Sequence, residues 1–212
     1  MSDSSGVVPS ADIKRRDFLY VATGAVAAIG AALTAWPFLD QMEPSTAVIA
    51  AGNPITVDLK AMEPGQQALF RWRSKPIFVV HRTAPELAGL TKASLLSRLR
   101  DPHSQEQQQP GYAQNWSRSI KPDYLVLVGI CTHLGCIPTF TPQPGSLDPA
   151  WPGGWLCHCH GSRYDLAGRV FQGVPAPLNL PVPPYHFESE TSLVIGENPK
   201  GSTFDLGSVE QL

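Results

Sequence analysis

The sequence of 212 residues is poor in charge, since charged side chains make up 16% of it against about a quarter in a typical soluble domain. Its formal net charge of −2 provides no excess of cations for a phosphate backbone, so we expect no nucleic-acid partner. Four cysteines are too few for a small scaffold held together by disulfides, and there is no internal repeat. Hydrophobic residues nevertheless reach 42%, which excludes an intrinsically disordered chain.

A long apolar run lies near the N-terminus. Residues 18–39 contain no charged side chain. At about 1.5 Å per residue, a helix of this length is long enough to cross a hydrocarbon core of about 30 Å. We interpret the run as an uncleaved transmembrane anchor, with a buried soluble helix as the alternative. Small residues within 32–35 also fit a cleavage site for a signal peptidase, so a cleaved signal is a second alternative.

The residues on either side of this run predict its orientation. Residues 14–16 (Lys-Arg-Arg) precede it, whereas Asp40 and Glu43 follow it. By the positive-inside rule, residues 1–17 stay in the cytoplasm and the chain after residue 40 lies across the membrane. Residues 14–19 also resemble a twin-arginine export signal.

The rest of the chain is predicted to be a tether and a β-rich head. Residues 40–54 are rich in small residues and proline, which is typical of a flexible tether, and the head occupies 55–212. Leucines at helical spacing between 84 and 100 predict one inserted helix. Runs with the character of strands lie at 55–59, 68–73, 76–81, 124–130, 154–158, 168–171, 184–188 and 192–195. The fold class is therefore mainly antiparallel β with one inserted helix and one N-terminal transmembrane helix.

All four cysteines lie in two short boxes, and each box also contains histidine. The first box is 131–136 (Cys-Thr-His-Leu-Gly-Cys) and the second is 157–162 (Cys-His-Cys-His-Gly-Ser). Two structural disulfides, a zinc site or inert buried thiols are the alternatives. Disulfides do not explain the histidines, and zinc boxes are usually spaced differently. Cys-x-His in one loop with Cys-x-x-His in another matches a Rieske [2Fe–2S] centre, in which two histidines replace two cysteines on one iron.

The whole pattern resembles the Rieske iron-sulfur subunits of bacterial cytochrome bc1 complexes. The similarity runs from the twin-arginine-like anchor through both boxes to Gly173-Val174-Pro175-Ala176-Pro177, which resembles the proline loop of that family. The resemblance implies a head of small stacked sheets, with a cluster-binding subdomain at about 124–178. It also implies one [2Fe–2S] Rieske cluster as the cofactor.

The resemblance assigns a role to most residues of the boxes. Leu134 and Gly135 would form a docking tip for cytochrome b, and the Ser162 and Tyr164 hydroxyls would donate hydrogen bonds to cluster and ligand sulfur. His158 departs from the family, which commonly has proline there, and we expect its side chain to point away. The implied inner-iron ligands are Cys131 and Cys157, the implied outer-iron ligands are His133 and His160, and the implied disulfide joins Cys136 and Cys159.

The resemblance also implies a function. The subunit would take one electron and one proton from quinol, expected to be ubiquinol, through the catalytic histidines His160 or His133. The head would then move on its tether and pass the electron to cytochrome c1. The complex would be dimeric, in the inner membrane of a bacterium, with the head in the periplasm. The alternatives are the Rieske small subunit of an arsenite oxidase-type enzyme and, in another class, a zinc-stabilised binding module.

Overall fold

The computed structural model describes residues 15–209, and the chain divides into two compact units between Ile49 and Ala50. Most of the predicted cytoplasmic segment, residues 1–14, lies outside the described residues. The predicted tether at 40–54 contains the boundary between the two units.

The first unit is dominated by one long helix. Helix α1, Arg15–Asp40, has 26 residues, and none of its side chains is buried. Among residues 15–209 it is the one helix long and apolar enough to cross a membrane. It begins three residues before the predicted run and ends one residue after it, so its length and composition are those expected of an anchor.

The segment after the anchor is partly helical. Residues 46–51 form a short helix, α2, Thr46–Ala51, where the sequence suggested only irregular structure. The Ser45 side chain accepts a hydrogen bond from the Val48 backbone N–H at 3.3 Å, as expected at the start of a helix. The flexibility of the tether stays a prediction.

The second unit contains three antiparallel sheets of three strands each. Their strand orders are β1-β9-β8, β2-β3-β4 and β5-β6-β7. The predicted mainly antiparallel β architecture is therefore confirmed. The strands are β1 Ile55–Asp58, β2 Gln67–Trp72, β3 Lys75–His81, β4 Tyr124–Val128, β5 Thr139–Thr141, β6 Gly154–Cys157, β7 Ser162–Asp165, β8 Tyr185–Phe187 and β9 Ser192–Ile195.

The inserted helical segment differs from the prediction in detail. Two short helices, α3 Ala84–Gly89 and α4 Ala93–Leu96, stand where one helix was expected between 84 and 100. Lys92 is extended, with φ −65° and ψ 130°, so the helix cannot continue through it. Leucines on both sides of this break pack into the same apolar cluster, which explains why their spacing resembled one helix.

The strand predicted at 168–171 is wrong, and β5 and β7 were not foreseen. Residues 168–171 form only two isolated bridges, Tyr164 with Val170 and Leu99 with Phe171. Gly168 has a φ of +71°, so the chain turns where a strand would have to begin. The predicted cluster-binding subdomain also starts inside another sheet, because β4 pairs with β3.

One apolar core joins the three sheets. It includes buried side chains from each sheet, and the rings of Phe78 and Trp155 stack with their centroids 6.0 Å apart. A second cluster packs Leu90 and Leu95 of the segment of α3 and α4 against Trp151, which precedes β6, and Leu166, which follows β7. These contacts fix the strands from which both cysteine boxes emerge.

Candidate metal centre

The two cysteine boxes lie on two loops. The first box follows β4, whereas residues 158–161 of the second form the turn between β6 and β7. Cys157 and Ser162 face each other at the ends of those strands. The second box therefore forms the tip of a hairpin, with its first residue at the end of β6 and its last residue at the start of β7.

A glycine closes each loop. The Gly135 N–H donates to the Cys131 carbonyl at 3.0 Å, and the Gly161 N–H donates to the Cys157 carbonyl at 2.9 Å. Both glycines have a positive φ, 82° and 76°, which a side chain would disfavour although the space around them is open. The shared Cys-x-x-x-Gly spacing is the sequence signal for this pair of turns.

One disulfide joins the loops and leaves two thiols. The structure pairs Cys136 with Cys159, whereas Cys131 and Cys157 are free and buried. The Sγ atoms of Cys136, Cys157 and Cys159 lie within 4.8 Å of one another, so the disulfide directly adjoins one of the free thiols. This pairing excludes the alternative of two disulfides and agrees with the one that the resemblance implies.

The two free thiols adjoin each other in a buried site. Burial raises the pKa of the Cys157 thiol, and a hydrogen bond and the negative charge of neighbouring Cys131 act in the same direction. Metal binding requires the thiolate form, so a cation bound between these two thiols would offset the effect of burial.

Two imidazoles complete the set of donors. The rings of His133 and His160 meet edge to face, with centroids 4.7 Å apart and planes at 88°. His160 is exposed and His133 half-buried. His158 is also exposed but does not belong to this ring pair. Two thiols and two paired imidazoles are the donor set of a Rieske [2Fe–2S] cluster, and the residues present therefore fit that cofactor.

The Tyr164 hydroxyl reaches one of the free thiols. It donates to Cys131 Sγ at 3.2 Å and accepts from the Thr132 N–H at 3.2 Å. The Thr132 hydroxyl also lies 3.2 Å from it but donates its own proton to the Leu178 carbonyl at 2.7 Å. Thr132 was not foreseen from the sequence, because nothing in its position beside a cysteine signals a link to Leu178.

The Ser162 hydroxyl connects the second box to the proline loop. Its buried oxygen accepts a hydrogen bond from the Ala176 N–H at 3.0 Å. The hydroxyl proton is not used in that bond and remains available for donation to sulfur. Gly173, with φ +71°, and exposed Pro175 precede this contact, and half-buried Pro177 follows it.

The tip of the first loop exposes apolar side chains. Leu134 is 70% exposed and Gly135 is also exposed. Ile137, directly after the box, is 60% exposed and was missed, although an apolar residue beside the predicted tip was a usable signal. The docking role of this tip stays a prediction.

Comparison with known proteins also identifies a Rieske domain in this chain. Residues 108–184 match the family model "Rieske [2Fe-2S] domain", and residues 8–45 match the family model "Ubiquitinol-cytochrome C reductase Fe-S subunit TAT signal". The chain therefore carries a Rieske domain, with a [2Fe–2S] cluster as its cofactor.

Relatives extend this result to nearly the whole chain. Proteins named ubiquinol-cytochrome c reductase iron-sulfur subunit are 48% identical over 87% of this chain and 89% of the relative in Allochromatium vinosum, and 48% over 86% and 94% in Bradyrhizobium diazoefficiens. The relative from Rhodospirillum rubrum is 42% identical over 92% and 98%. The chain belongs to the family of ubiquinol-cytochrome c reductase iron-sulfur subunits.

Proposed function

We propose that this chain is the electron-transfer subunit of a cytochrome bc1 complex. It takes an electron and a proton from quinol at cytochrome b and passes the electron to cytochrome c1. The observation that carries the proposal is the meeting of two free buried thiols and an edge-to-face pair of imidazoles on two loops joined by a disulfide. The relatives' names favour ubiquinol as the reductant and disfavour an arsenite oxidase subunit.

The proposed ligands are Cys131 and Cys157 for the inner iron and His133 and His160 for the outer iron. When bound, the cluster supplies a one-electron carrier whose potential is raised, because two neutral imidazoles replace two thiolates. The disulfide between Cys136 and Cys159 holds the ligand loops together.

We assign the contact with quinol to His160, because its side chain is more exposed than that of His133. The His160 ring nitrogen that is not used for ligation would accept the proton of the quinol hydroxyl once it has lost its own proton, and would later release the accepted proton to solvent. Leu134 and Gly135 provide the apolar contact with cytochrome b.

The proposed location is the bacterial inner membrane, with a single span formed by α1. The cations at 14–16 hold the N-terminus in the cytoplasm, and the head lies in the periplasm. The match of residues 8–45 to an export-signal family model supports export of the head. The complex is proposed to be dimeric.

Substitution of the two ligand histidines tests the site. The full-length chain, reduced with dithionite, is expected to give the rhombic EPR signal of a histidine-ligated [2Fe–2S] cluster. His133→Asn and His160→Asn are expected to abolish it, because each removes an iron ligand. His158→Asn, the matched control in the same loop, is expected to keep it. A colourless, EPR-silent protein that contains zinc would overturn the assignment.

Removal of the Tyr164 hydroxyl tests the tuning of the cluster. Tyr164→Phe is expected to lower the midpoint potential by roughly 40 mV, since the loss of about 1 kcal/mol of stabilisation from the reduced state corresponds to a shift of this size for one electron. An EPR-monitored redox titration measures it. Thr141→Val, at an exposed hydroxyl outside this network, is the control. An unchanged midpoint potential would show that the hydrogen bond between the Tyr164 hydroxyl and Cys131 Sγ does not tune the cluster.

A stiffer tether tests the proposed movement of the head. Gly52→Pro is expected to slow quinol–cytochrome c turnover severalfold, because proline restricts its own φ and the residue before it. The EPR spectrum is expected to stay unchanged. Gly52→Ala adds a side chain at the same position with less restriction and serves as the control. Normal turnover in the proline variant would contradict a moving head.

A further inference from the structure

A polar cleft of about 460 Å³ opens beside the second box. Gly161, the residue after His160, lines it together with Gly173 and Val174 at the start of the proline loop. Arg98 and Arg163 line it as well. The cleft therefore adjoins the exposed histidine that we assign to the outer iron, but its residues have no part in the ligation proposed above.

Two partly exposed guanidinium groups supply positive charge and hydrogen-bond donors to this cleft. The Arg98 guanidinium lies 5.0 Å from the centroid of the Phe171 ring and donates one hydrogen bond to the Ala150 carbonyl at 2.5 Å. Arg163 forms one ion pair with Asp148 at 2.6 Å. A guanidinium carries five N–H donors. Across residues 15–209 these contacts use one donor on each arginine, so further donors remain for a ligand.

The local charge is positive. Arg98 and Arg163 are opposed by Asp148 alone in the contacts just described, and exposed Arg100 adds a third cation, which reaches the Val174 carbonyl at 3.4 Å. The Asp101 carboxylate keeps its negative charge but does not line the cleft, and it accepts hydrogen bonds from the backbone N–H groups of residues 105 and 106. A site of this kind selects an anion with planar oxygens, for which a carboxylate is suited.

We propose that this cleft binds an acidic side chain on the surface of the electron-accepting cytochrome and thereby orients the head for electron transfer. The inference rests on the proposed function. Electron transfer requires the acceptor to come close to the exposed edge of His160, and Gly161 makes the cleft part of that rim. Partly exposed charges at the rim of an interface act mainly on the approach and register of the partner, and salt screens them.

The test uses the full-length chain in its assembled complex and follows the oxidation of the reduced cluster by the cytochrome over a range of salt concentrations. Arg98→Gln and Arg163→Gln are each expected to slow this step roughly tenfold at low salt, the scale of a lost charge-assisted hydrogen bond. The difference is expected to shrink at high salt. Asp148→Asn is expected to act in the opposite direction and accelerate the step, because it removes the counter-charge of Arg163.

Matched variants separate the cleft from general effects. Arg163→Lys keeps the charge but loses the planar set of donors, and its rate is expected to lie between that of the unsubstituted complex and that of Arg163→Gln. Arg71→Gln removes an exposed arginine from β2 and is expected to have little effect. An unchanged EPR spectrum and midpoint show that each variant retains its cluster. If Arg98→Gln fails to assemble, Arg163→Gln and Asp148→Asn still decide the question.

Two outcomes have different meanings. If Arg98→Gln and Arg163→Gln show the same rate as Arg71→Gln at low salt, the proposed role of the cleft is overturned, while the proposed function stands. An unsubstituted complex whose reduced cluster is never oxidised by the cytochrome would overturn the proposed function itself.

Discussion

Asp165→Asn is expected to lower the free energy of unfolding by about 3–5 kcal/mol, the usual effect of breaking a buried ion pair by removing one partner. Asp165 and Arg169 are both buried, and a carboxylate oxygen of Asp165 lies 2.7 Å from a guanidinium nitrogen of Arg169. Its other oxygen accepts from the backbone N–H groups of Ala167 and Arg169 at 2.9 and 2.8 Å. An asparagine amide has only one oxygen, so its NH2 group would face either the backbone N–H groups or the Arg169 guanidinium, which are all donors.

The surrounding charges increase this effect. Arg82 and Arg118 are also buried and donate to the Leu166 and Ala167 carbonyls of the same turn at 3.1 and 3.0 Å. Burial lowers the pKa of Arg82 to about 10 and that of Arg118 to about 9, and the Asp165 carboxylate opposes both shifts. Among residues 15–209 no other carboxylate is buried. Its neutralisation would leave three buried cations with no buried counter-charge.

Thermal unfolding of the full-length chain in detergent measures the effect. For a domain of this size, 3–5 kcal/mol corresponds to a fall in Tm of about 6–20 °C. Asp148→Asn is the control, because it breaks a partly exposed ion pair whose loss is expected to cost less than about 1 kcal/mol. Equal melting temperatures for the two variants would show that the buried pair adds no more stability than the surface pair.

Removal of the disulfide is expected to reduce both stability and cluster content. Cys136 and Cys159 are 23 residues apart in sequence. A disulfide that closes a loop of this length raises the free energy of unfolding by about 3 kcal/mol, because it lowers the entropy of the unfolded chain. The double change Cys136→Ser with Cys159→Ser leaves no unpaired thiol to compete for iron. Without the link the two ligand loops are no longer held together, so we expect loss of iron as well as a lower Tm.

Iron content per chain and the intensity of the EPR signal measure the second effect. Ile137→Ala removes an exposed apolar group next to the first box and is the control, with full iron content expected. If the double serine variant kept full iron content and the same Tm, the disulfide would have no role in holding the site together.

Local features of the sequence predicted the anchor, the class of fold and the candidate ligands. An apolar run that can span a bilayer, and runs of β-branched residues, are properties of short segments and do not depend on distant contacts. The two boxes are also local, since each places cysteine and histidine within one loop. The helical spacing of leucines between 84 and 100 was misleading in one respect, because packing against a common cluster maintains it across the break at Lys92.

Tertiary structure decided the features whose partners lie far apart in the chain. Arg82 meets Leu166 across 84 residues, and Thr132 meets Leu178 across 46. Asp165 lies at the end of β7 with no charged neighbour directly beside it in the sequence, yet it is the counter-charge of buried Arg169. The cleft of Arg98 and Arg163 forms because separate segments pack side by side. A buried polar group must find a partner wherever the fold supplies one, and sequence spacing carries no information about that partner.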